Sequence, residues 1–472
     1  MYSRIRNIHF IGIGGIGMSG IAEVLLNLGY HVRGSDLSRN ASVKRLESLG
    51  ARVFQGHHGD NVADAHVVVH SSAVKRDNPE MVEARRRRIP VVPRAEMLAE
   101  LMRFKYGIAI AGTHGKTTTT SLIATVLSGA GMDPTVVNGG IVKAFASNAR
   151  LGQGQFLVTE ADESDGSFVK LNPTIAVVTN MDPEHMEHYG EFQAVRDAFH
   201  QFVAKIPFYG LAVLCHDHPE SAALHGRLDG RRVVTYGLEA GADYRAVAIR
   251  LENGKTHFRV VCRAALGEPD QELGELRLSL LGRHNVANAL AAVAVARELD
   301  IPWGQLAASL EHFEGVHRRF DVLLDCPERM VVDDYAHHPV EIRATLAAAR
   351  EGLGATRRLV AVFQPHRYSR VWSLRDTFCQ AFRDTDVVLV EPIYPAGEKP
   401  LPELADGGQE FLMEGIQRDS KVIVHRLDRG DDWLERLESH LQPGDVVLFL
   451  GAGDVSQQAR QMADRCREQG LG

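Results

Sequence analysis

Short apolar runs bounded by glycine and polar residues recur along the first part of the chain and predict buried strands. The first run covers residues 7–11, and similar runs cover 31–34, 52–54 and 65–70. Stretches with the spacing of amphipathic helices separate them. Such an alternation is typical of a doubly wound α/β sheet with helices on both faces. We therefore predict a Rossmann-like N-terminal domain over residues 1–104.

The same alternation continues through the rest of the chain. Residues 105–317 are predicted to form a central phosphate-loop α/β domain, in which short runs between 211 and 281 form a small antiparallel annex to the sheet. Residues 318–472 are predicted to form a second Rossmann-like α/β domain. Its predicted strands cover residues 331–333, 358–363, 386–390, 422–425 and 445–450.

The composition agrees with this organisation. The chain has 472 residues, which allows about three domains of roughly 150 residues each. An apolar content of 44% and a net charge of -7 are ordinary for a soluble protein and argue against a nucleic-acid partner. The five cysteines are scattered without a CxxC pair, which indicates neither a zinc site nor a disulfide framework.

The cysteine pattern fits a reducing cytosol, and two further observations point to the same location. No signal peptide precedes the first predicted strand. No apolar segment reaches the ~20 residues that a membrane helix needs. We therefore expect a cytoplasmic protein without a membrane partner, present as a monomer or a weak homodimer.

A glycine-rich turn follows the first predicted strand. Gly12, Gly14 and Gly17 fit the pattern GxGxxG, and Asp36 ends the next strand about 20 residues later. This arrangement indicates a phosphorylated ligand at the turn, with the acidic residue holding ribose hydroxyls. An NAD-dependent oxidoreductase is one interpretation. Glycines that only allow close packing of helix against sheet are another.

A second phosphate-binding pattern lies further along the chain. An apolar run leads through Gly112 and Gly115 into Lys116 and Thr117, with Ile110 where the general pattern has its first glycine. In such a loop the lysine reaches the β- and γ-phosphates and the hydroxyl holds Mg²⁺. A dehydrogenase does not account for this second loop. A nucleotide-linked substrate in the first domain and ATP in the second accounts for both patterns.

Two further predicted strands end in groups that could hold a metal. Glu160 ends one strand, and His185 follows the next. Because the carboxyl ends of parallel strands meet at one edge of a sheet, both are expected near Thr117 as candidate Mg²⁺ ligands. A single histidine is more often structural than a metal ligand. The acidic turn around Glu163 could be a solvated loop.

Two pairs of polar residues with helical spacing are further candidates. Asn285 and Asn288 lie on one face of a predicted helix, where their amides could contact an adenine edge or Asn285 could cap the helix. Arg367 and Arg370 could bind a carboxylate as a fork. For any one of these arginines a surface ion pair is the commoner outcome.

The motifs in combination are more specific than any one of them. The segments GIGGIGMSG, AGTHGKTTTT, EADESDGSF, TNMDPEHMEHYG, GRHNVANALAA, DDYAHHP and FQPHRYSR follow one another along the whole chain. Together they resemble the Mur ligases of peptidoglycan synthesis. The GTHGKTT loop is shared across that family, whereas GIGGIGMSG, DDYAHHP and PHRYSR are similar to its alanine-adding branch. The carbamylated lysine of later branches has no counterpart after His185, which leaves the ligands of a second Mg²⁺ open.

The resemblance implies an ATP-dependent ligase that joins L-alanine to the lactyl carboxylate of UDP-N-acetylmuramate through an acyl phosphate. It implies catalytic roles for Lys116, Glu160 and His185, and Mg²⁺ binding by Thr117, Glu160 and His185. The implied UDP-sugar-binding residues are Gly12, Gly14, Gly15, Gly17, Ser35, Asp36 and Ser72. The implied ATP-binding residues are Gly112, Thr113, His114, Gly115, Lys116, Thr117, Thr118, Asn285, Asn288, Arg319 (with Arg318 as the alternative) and Asp334. The implied amino-acid-binding residues are Tyr335, His337, Arg367 and Arg370.

Other functions stay open at this point. A related ligase adds a preformed peptide to the same sugar nucleotide during cell-wall recycling, which the GIGGIGMSG opening disfavours. An NAD-dependent oxidoreductase and a catalytically silent UDP-sugar sensor belong to different classes. The complete set of Lys116, Thr117, Glu160 and His185 argues against the sensor.

Overall fold

The fold was analysed in a computed structural model, which describes residues 5–71, 73–145, 147–252, 254–264, 268–353, 357–404 and 408–470. The chain divides into two compact units. The first comprises Met1–Ile249, His257–Leu278 and Val286–Glu314, and the second comprises Arg250–Thr256, Ser279–Asn285 and Gly315–Gly472. The predicted N-terminal domain and most of the central domain therefore lie in one unit.

The N-terminal part of the first unit is a parallel α/β sheet, as predicted. Its strands are β1 (Asn7–Ile11), β2 (His31–Asp36), β3 (Arg52–Gln55), β4 (Val67–His70) and β5 (Val91–Pro93). Its helices are α1 (Ile16–Asn27), α2 (Ala41–Ser48), α3 (Pro79–Arg86) and α4 (Arg94–Met102). The strand order β3-β2-β1-β4-β5 places the glycine-rich turn after the central strand. Every pairing in this sheet is parallel.

The central domain is built on a ten-stranded sheet. Its strands are β6 (Tyr106–Ala111), β7 (Thr135–Val142), β8 (Ser147–Arg150), β9 (Phe156–Glu160), β10 (Ile175–Val178), β11 (Leu211–Cys215), β12 (Val233–Gly237), β13 (Tyr244–Glu252), β14 (Lys255–Cys262) and β15 (Gln271–Leu278). Its helices are α5 (Lys116–Gly129), α6 (Met186–Tyr189), α7 (Phe192–Ala204), α8 (Pro219–His225), α9 (Arg283–Glu298) and α10 (Trp303–Glu311). The strand order is β15-β14-β13-β12-β11-β10-β6-β9-β7-β8, so β6 lies between β9 and β10.

Two strands of the predicted antiparallel annex join the main sheet in the parallel direction. β11 pairs in parallel with β10, and β12 pairs in parallel with β11. β13 likewise pairs in parallel with β12, and β14 and β15 continue the sheet beyond it. The apolar run of a strand reports its burial but not the direction of its partner, so the sequence pattern could not separate the two arrangements.

The second unit contains a six-stranded sheet. Its strands are β16 (Asp321–Asp325), β17 (Arg329–Asp334), β18 (Leu359–Phe363), β19 (Val387–Val390), β20 (Ile423–Arg426) and β21 (Asp445–Leu450). Its helices are α11 (Pro339–Leu353), α12 (Tyr368–Ser373), α13 (Arg375–Cys379), α14 (Gln409–Ser420), α15 (Trp433–Glu438) and α16 (Val455–Glu468). The order is β16-β17-β21-β18-β19-β20, with only β16 antiparallel to its neighbour.

One apolar core runs through both parts of the first unit. It includes Ile8 of β1, Met97 of α4 and Val137 of β7. Helix α1 packs against β7 and β8 at Gly20, where a Cβ atom would lie 3.3 Å from the Ala149 side chain. The first helix of the N-terminal domain thus also packs against the sheet of the central domain.

Polar motifs occupy the carboxyl ends of the parallel strands in both units, as expected for an open α/β sheet. The loops after β1, β6, β9 and β10 carry the motifs of the first unit, and the loops after β17, β18 and β21 carry those of the second. Within the described ranges, no helix has the length and apolar character that crossing a membrane requires.

Candidate active site

The loop between β6 and α5 has the conformation of a phosphate-binding turn. Gly112 has a φ of +141°, and a Cβ atom there would lie 1.9 Å from Thr179 Oγ1. Gly115 has a φ of +83°, and a Cβ there would lie 2.8 Å from Asn288 Oδ1. Both positions therefore require glycine for conformation and for space. The N-terminus of α5 follows immediately, and its N-cap residue, Gly115, forms no side-chain cap.

The end of β10 holds this loop in shape. The Asn180 side chain accepts a hydrogen bond from the His114 N–H at 2.7 Å, and the Thr179 hydroxyl donates to the His114 carbonyl at 2.6 Å. The Asp182 N–H donates to Thr113 Oγ1 at 2.8 Å. His114 Nε2 also lies 3.5 Å from the Asp182 carboxylate. Contacts within the protein thus hold both Thr113 and His114.

Lys116 is paired with a buried carboxylate. Its ammonium donates to Glu163 Oε1 at 2.9 Å and to the carbonyl of Thr113 at 3.1 Å. Burial alone would lower the pKa of Lys116, but the charge of Glu163 outweighs it and the pKa is raised. The lysine is therefore a fixed cation beside the loop.

Glu163 is the residue of this site that the sequence pattern did not single out. The structure buries it to 4% exposure, whereas a solvated loop would leave it accessible. Burial raises the pKa of its carboxyl to about 7, against the opposing charge of Lys116. A signal existed in the sequence, because the acidic turn directly follows β9, the strand paired with β6.

Glu163, Glu184 and His185 bring three potential ligand atoms within 4.8 Å of one another. His185 has a left-handed backbone with a φ of +57°, an unusual conformation for a residue other than glycine. Burial lowers the pKa of His185 despite the nearby carboxylates, which favours the neutral imidazole that a metal needs. Two carboxylates and one imidazole are chemically suited to a divalent cation.

The other two predicted metal ligands lie at the same sheet edge. Glu160 ends β9, and its carboxylate accepts a hydrogen bond from the Gly139 N–H at 2.7 Å. The charge of Glu160 also contributes to the raised pKa of Lys116. Thr117 lies in the first turn of α5 and is 7% exposed. Thr118, one residue on, is equally buried.

The two predicted adenine contacts are both buried on α9. Asn288 Oδ1 accepts a hydrogen bond from the Thr119 hydroxyl at 3.1 Å and lies against Gly115. Asn285 donates from Nδ2 to the Leu281 carbonyl at 2.8 Å. Asn288 therefore supports the phosphate loop, in addition to any contact with a base.

The glycine-rich turn of the N-terminal sheet is closed by the end of β2. The N–H groups of Gly12 and Ile13 donate to the Ser35 carbonyl at 2.8 and 3.1 Å. The Gly14 N–H donates to the Asp36 carboxylate at 2.8 Å, and a Cβ at Gly14 would lie 2.9 Å from that carboxylate. Asp36 thus shapes the turn itself.

The remaining predicted UDP-sugar residues lie in different surroundings. A Cβ atom at Gly15 would meet only ordinary contacts, the nearest at 3.5 Å. A Cβ at Gly17 would lie 3.1 Å from the Arg94 guanidinium. The Ser35 hydroxyl is fully buried and donates to Glu80 at 2.6 Å, so only its main chain faces the turn. Ser72 lies outside the described residues.

Glu80 is a fully buried carboxylate behind the turn. Besides Ser35, its oxygens contact His9 Nε2 at 3.3 Å and Asn61 Nδ2 at 2.5 Å. Burial alone would raise the pKa of Glu80, but the bonds from His9, Ser35 and Asn61 outweigh it and the pKa is lowered. The cluster therefore stabilises a buried negative charge beneath β2.

In the second unit, Asp334 and Arg318 fix the loops at the carboxyl edge of the sheet. The Asp334 carboxylate accepts from the N–H groups of Phe320 and Ala336 at 2.6 and 2.7 Å. Burial raises its pKa to about 6, although the charge of Arg319 opposes the shift. The Arg318 guanidinium donates to the Gly451 carbonyl at 2.7 Å. Arg318 is therefore bound within its own unit.

Aromatic and imidazole rings form a continuous group at this edge. Tyr335 lies 5.1 Å from His337, and His337 lies 5.7 Å from His366, measured between ring centroids. The guanidinium of Arg319 lies 5.2 Å from the Tyr335 ring. The Arg319 guanidinium also lies 4.0 Å from the Glu341 carboxylate. This contact is longer than the 2.7 Å hydrogen bond from Arg318 to the Gly451 carbonyl.

The two predicted carboxylate-binding arginines lie at the start of α12. Arg367 has a φ of +70°, and its Nε donates to Glu398 at 2.7 Å. Glu398 also accepts from the Ser369 hydroxyl at 2.7 Å. Arg370 contributes positive charge that lowers the pKa of His366. The sequence pattern gave no indication of Glu398, which is far from the arginines along the chain.

Comparison with known proteins agrees with the motifs and the fold. The family models described as Mur ligase family catalytic domain, Mur ligase middle domain, and Mur ligase glutamate ligase domain match residues 7–106, 110–296 and 318–453. A UDP-N-acetylmuramate–L-alanine ligase of Magnetococcus marinus is 60% identical over 98% of both chains. The ligase of the same name from Geobacter sp. (strain M21) is 54% identical over 99% of both chains.

Solved structures give the same result. The crystal structure of UDP-N-acetylmuramate-alanine ligase from Thermotoga maritima is similar with a TM-score of 0.82 and 31% identity, over 98% of this chain and 99% of that one. A murein peptide ligase from Psychrobacter arcticus has a TM-score of 0.71 and 26% identity, over 97% of this chain and 98% of that one. The three-domain α/β fold class is confirmed, and the chain belongs to the Mur ligase family.

Proposed function

We propose that this protein is an ATP-dependent ligase that joins L-alanine to UDP-N-acetylmuramate in peptidoglycan precursor synthesis. The observation that carries the proposal is the presence of two phosphate-binding turns in one compact unit, in a chain 60% identical over its length to a ligase of that name. The glycine turn after β1 takes the UDP end of the sugar nucleotide. The loop after β6 takes the triphosphate of ATP.

The central step is transfer of the γ-phosphoryl group to the lactyl carboxylate. A carboxylate oxygen forms a bond to the γ-phosphorus, the bond to the β,γ-bridging oxygen breaks, and ADP leaves. Lys116 offsets the negative charge of the phosphates, and the N–H groups of Gly112 to Thr118 hold them. The free amine of L-alanine then attacks the acyl phosphate, and phosphate leaves as the amide forms.

The residues at the sheet edge suit Mg²⁺, which we assign to Thr117, Glu160 and His185, supported by Glu163 and Glu184. When bound, Mg²⁺ would supply positive charge that offsets the negative charge of the phosphates. The 2.8 Å contact between Glu163 and Lys116 Nζ holds the ammonium beside the loop that we propose for the phosphates.

The C-terminal domain supplies the remaining contacts in this proposal. Arg319 and Asp334 contribute to the ATP site, with Arg319 preferred to Arg318 because Arg318 is bound to the carbonyl of Gly451. Tyr335, His337, Arg367 and Arg370 bind L-alanine, and the arginines pair with its carboxylate. Asn285 and Asn288 contact adenine.

The decisive experiment measures phosphate release from ATP with UDP-N-acetylmuramate and one amino acid at a time. We expect L-alanine to stimulate release and to appear in the product. Release that depends on a preformed tripeptide instead of L-alanine would identify the cell-wall recycling ligase. An absence of phosphate release, or release that L-alanine does not stimulate, would contradict the proposal.

Lys116→Ala separates the two substrate sites. The substitution removes the cation at the phosphate loop, so we expect turnover to fall by about a thousandfold or more, since one transition-state charge contact is worth that much. Binding of UDP-N-acetylmuramate, measured by calorimetry, should stay within a factor of about two. Loss of both properties would mean that the two sites are not separable.

The location and partners belong to the same proposal. A sugar nucleotide and ATP are both cytoplasmic metabolites, so we place the enzyme in the cytoplasm as a monomer or weak homodimer with no nucleic-acid or membrane partner. The NAD-dependent oxidoreductase is not favoured, because the matched relatives are ligases. Calorimetry with NAD should detect no binding.

A further inference from the structure

Arg94, the first residue of α4, connects the N-terminal sheet to the acidic turn beside the phosphate loop. Its Nη2 donates to Asp162 Oδ2 at 2.7 Å, across 68 residues of sequence. The Arg94 side chain is 18% exposed, whereas that of Asp162 is 41% exposed. The guanidinium is therefore held between the two parts of the first unit rather than in solvent.

The same guanidinium lies against the glycine-rich turn. A Cβ atom at Gly17 would lie 3.1 Å from Arg94 Nη1 and 3.3 Å from its Cδ. The last glycine of the GxGxxG pattern thus leaves room for Arg94. A diphosphate bound at the turn and the N-terminus of α1 would lie next to this positive charge.

Asp162 in turn organises the residues that hold Lys116. Its Oδ1 accepts from the Ser164 N–H at 3.1 Å, which forms the turn that carries Glu163. Glu163 then contacts Lys116 Nζ at 2.8 Å. A path of contacts therefore runs from Gly17 through the side chains of Arg94 and Asp162, along the turn to Glu163, and on to Lys116 of the phosphate loop.

We propose that Arg94 is a positioning residue that couples the sugar-nucleotide site to the ATP site by holding Asp162 and its turn. The proposal rests on the proposed function for the identity of the two ligands. Each ligand orders the same acidic turn, the diphosphate through Arg94 and ATP through Lys116. The second ligand to bind finds the turn already ordered and binds more tightly.

The chain offers a matched control pair. Glu96 lies on α4 two residues after Arg94, and its carboxylate contacts Lys170 of the central domain at 3.3 Å. Both side chains are 46% exposed. This pair joins the same two parts of the unit, and within the described part of the chain neither side chain forms a hydrogen bond or ion pair with the glycine turn or with Asp162. Glu96→Gln therefore controls for loss of an ion pair between the domains.

The experiment is calorimetry on the full chain with UDP-N-acetylmuramate and a non-hydrolysable ATP analogue. In the wild type, we expect saturation with the sugar nucleotide to tighten binding of the ATP analogue by about fivefold or more. Saturation with the analogue should tighten binding of the sugar nucleotide by the same factor. Arg94→Ala should reduce this factor to near 1, Arg94→Lys should restore part of it, and Glu96→Gln should leave it unchanged. Thermal melts establish that each variant is folded.

Two results would overturn the proposal: a factor of 1 in the wild type, or an unchanged factor in Arg94→Ala. The route through Asp162 has its own test. Asp162→Asn should lower the factor as far as Arg94→Ala does, and the double variant should lower it no further. Additive losses would mean that Arg94 acts on the substrate directly. Because no turnover is measured, failure of the ligase assay would leave this result intact.

Discussion

The space around Gly112 decides which substitutions the phosphate loop tolerates at that position. Besides its contact with the Thr179 hydroxyl, a Cβ atom at Gly112 would lie 3.1 Å from the main-chain nitrogen of Asn180. A main-chain atom cannot move aside as the end of a flexible side chain can. We expect Gly112→Ala to weaken binding of an ATP analogue by about tenfold or more, because the loop must open. Calorimetry measures this, and sugar-nucleotide binding should persist.

Gly131 provides the matched control for this substitution. It follows α5, has a φ of +74°, and a Cβ there would meet no atom within 4 Å. Gly131→Ala therefore introduces only the left-handed strain, of about 1 kcal/mol. Nucleotide binding should be unchanged in this variant. Equal losses in Gly112→Ala and Gly131→Ala would attribute the effect to backbone strain rather than to the contact with Thr179.

His366 gives the second unit a dependence on pH. Burial, with the charges of His337 and Arg370, lowers its pKa to about 4. An unfolded histidine has a pKa of about 6.5. The unfolded chain therefore binds the proton first as pH falls, and the stability contribution, complete above pH ~6.5, is lost as pH approaches ~4. We expect a loss of about 1–3 kcal/mol over this range, and His366→Gln should remove that slope.

Fluorescence can report this unit separately. Trp372 and Trp433 lie in the second unit, and Trp303→Phe removes the tryptophan of the first. Denaturant unfolding at a series of pH values then gives the free energy of unfolding. His225→Gln, an exposed position in the first unit, should leave the slope in place. An unchanged slope in His366→Gln would assign the dependence to other groups.

Single-residue chemistry was predictable from sequence only where the partners are close along the chain. Lys116 and Thr117 follow from one local motif. Glu163 did not, because its partner Lys116 is 47 residues away and nothing local marks the turn as buried. Glu398 was missed for the same reason, since it contacts Arg367 across 31 residues. Charge alone does not separate a buried carboxylate from a solvated one.

At the scale of elements, the contact between α1 and the hairpin of β7 and β8 is closely packed. At Gly20, a Cβ atom would already lie 3.4 Å from both Val137 Cγ1 and Asn148 Nδ2. Gly20→Val adds two further methyl groups to this contact, and we expect a loss of about 1–3 kcal/mol in the free energy of unfolding from overpacking. Denaturant unfolding of the full chain measures the loss.

Gly304 is the control helix glycine. It lies near the start of α10, and a Cβ there would meet no atom within 4 Å. Gly304→Ala should therefore be neutral or stabilising by up to about 1 kcal/mol, through the better helix propensity of alanine. A loss in Gly20→Val no larger than about 0.5 kcal/mol would show that α1 can shift away from the hairpin.

Long periodic elements were predicted well, and irregular ones were not. The strands β9 and β10 were placed because each is a continuous apolar run. The hairpin of β7 and β8 was missed, since Asn138 and two glycines interrupt its apolar pattern. Asn138 is buried and donates to the Ser121 hydroxyl at 2.7 Å, so its polarity reflects a specific partner rather than exposure.

At the scale of the whole molecule, the continuous core predicts how the two nucleotide ligands stabilise the chain. The two glycine-containing loops that we propose for their phosphates both lie in the first unit. At about 100 times its Kd, each ligand should add ~2.7 kcal/mol to the stability of that unit. Scanning calorimetry should therefore show the same transition rising with either ligand. Two transitions, each raised by a different ligand, would contradict a single cooperative unit.

The contact between α1 and the β7–β8 hairpin also affects the design of chimeras between members of the family. A chimera that joins the first 104 residues of one family member to the remainder of another brings together an α1 and a hairpin selected in different proteins. Gly20 would then face unmatched side chains where this chain has Ala149 and Val137. Recombination should succeed more often when residues 135–150 travel with the N-terminal sheet, although they lie beyond the boundary that the sequence motifs mark.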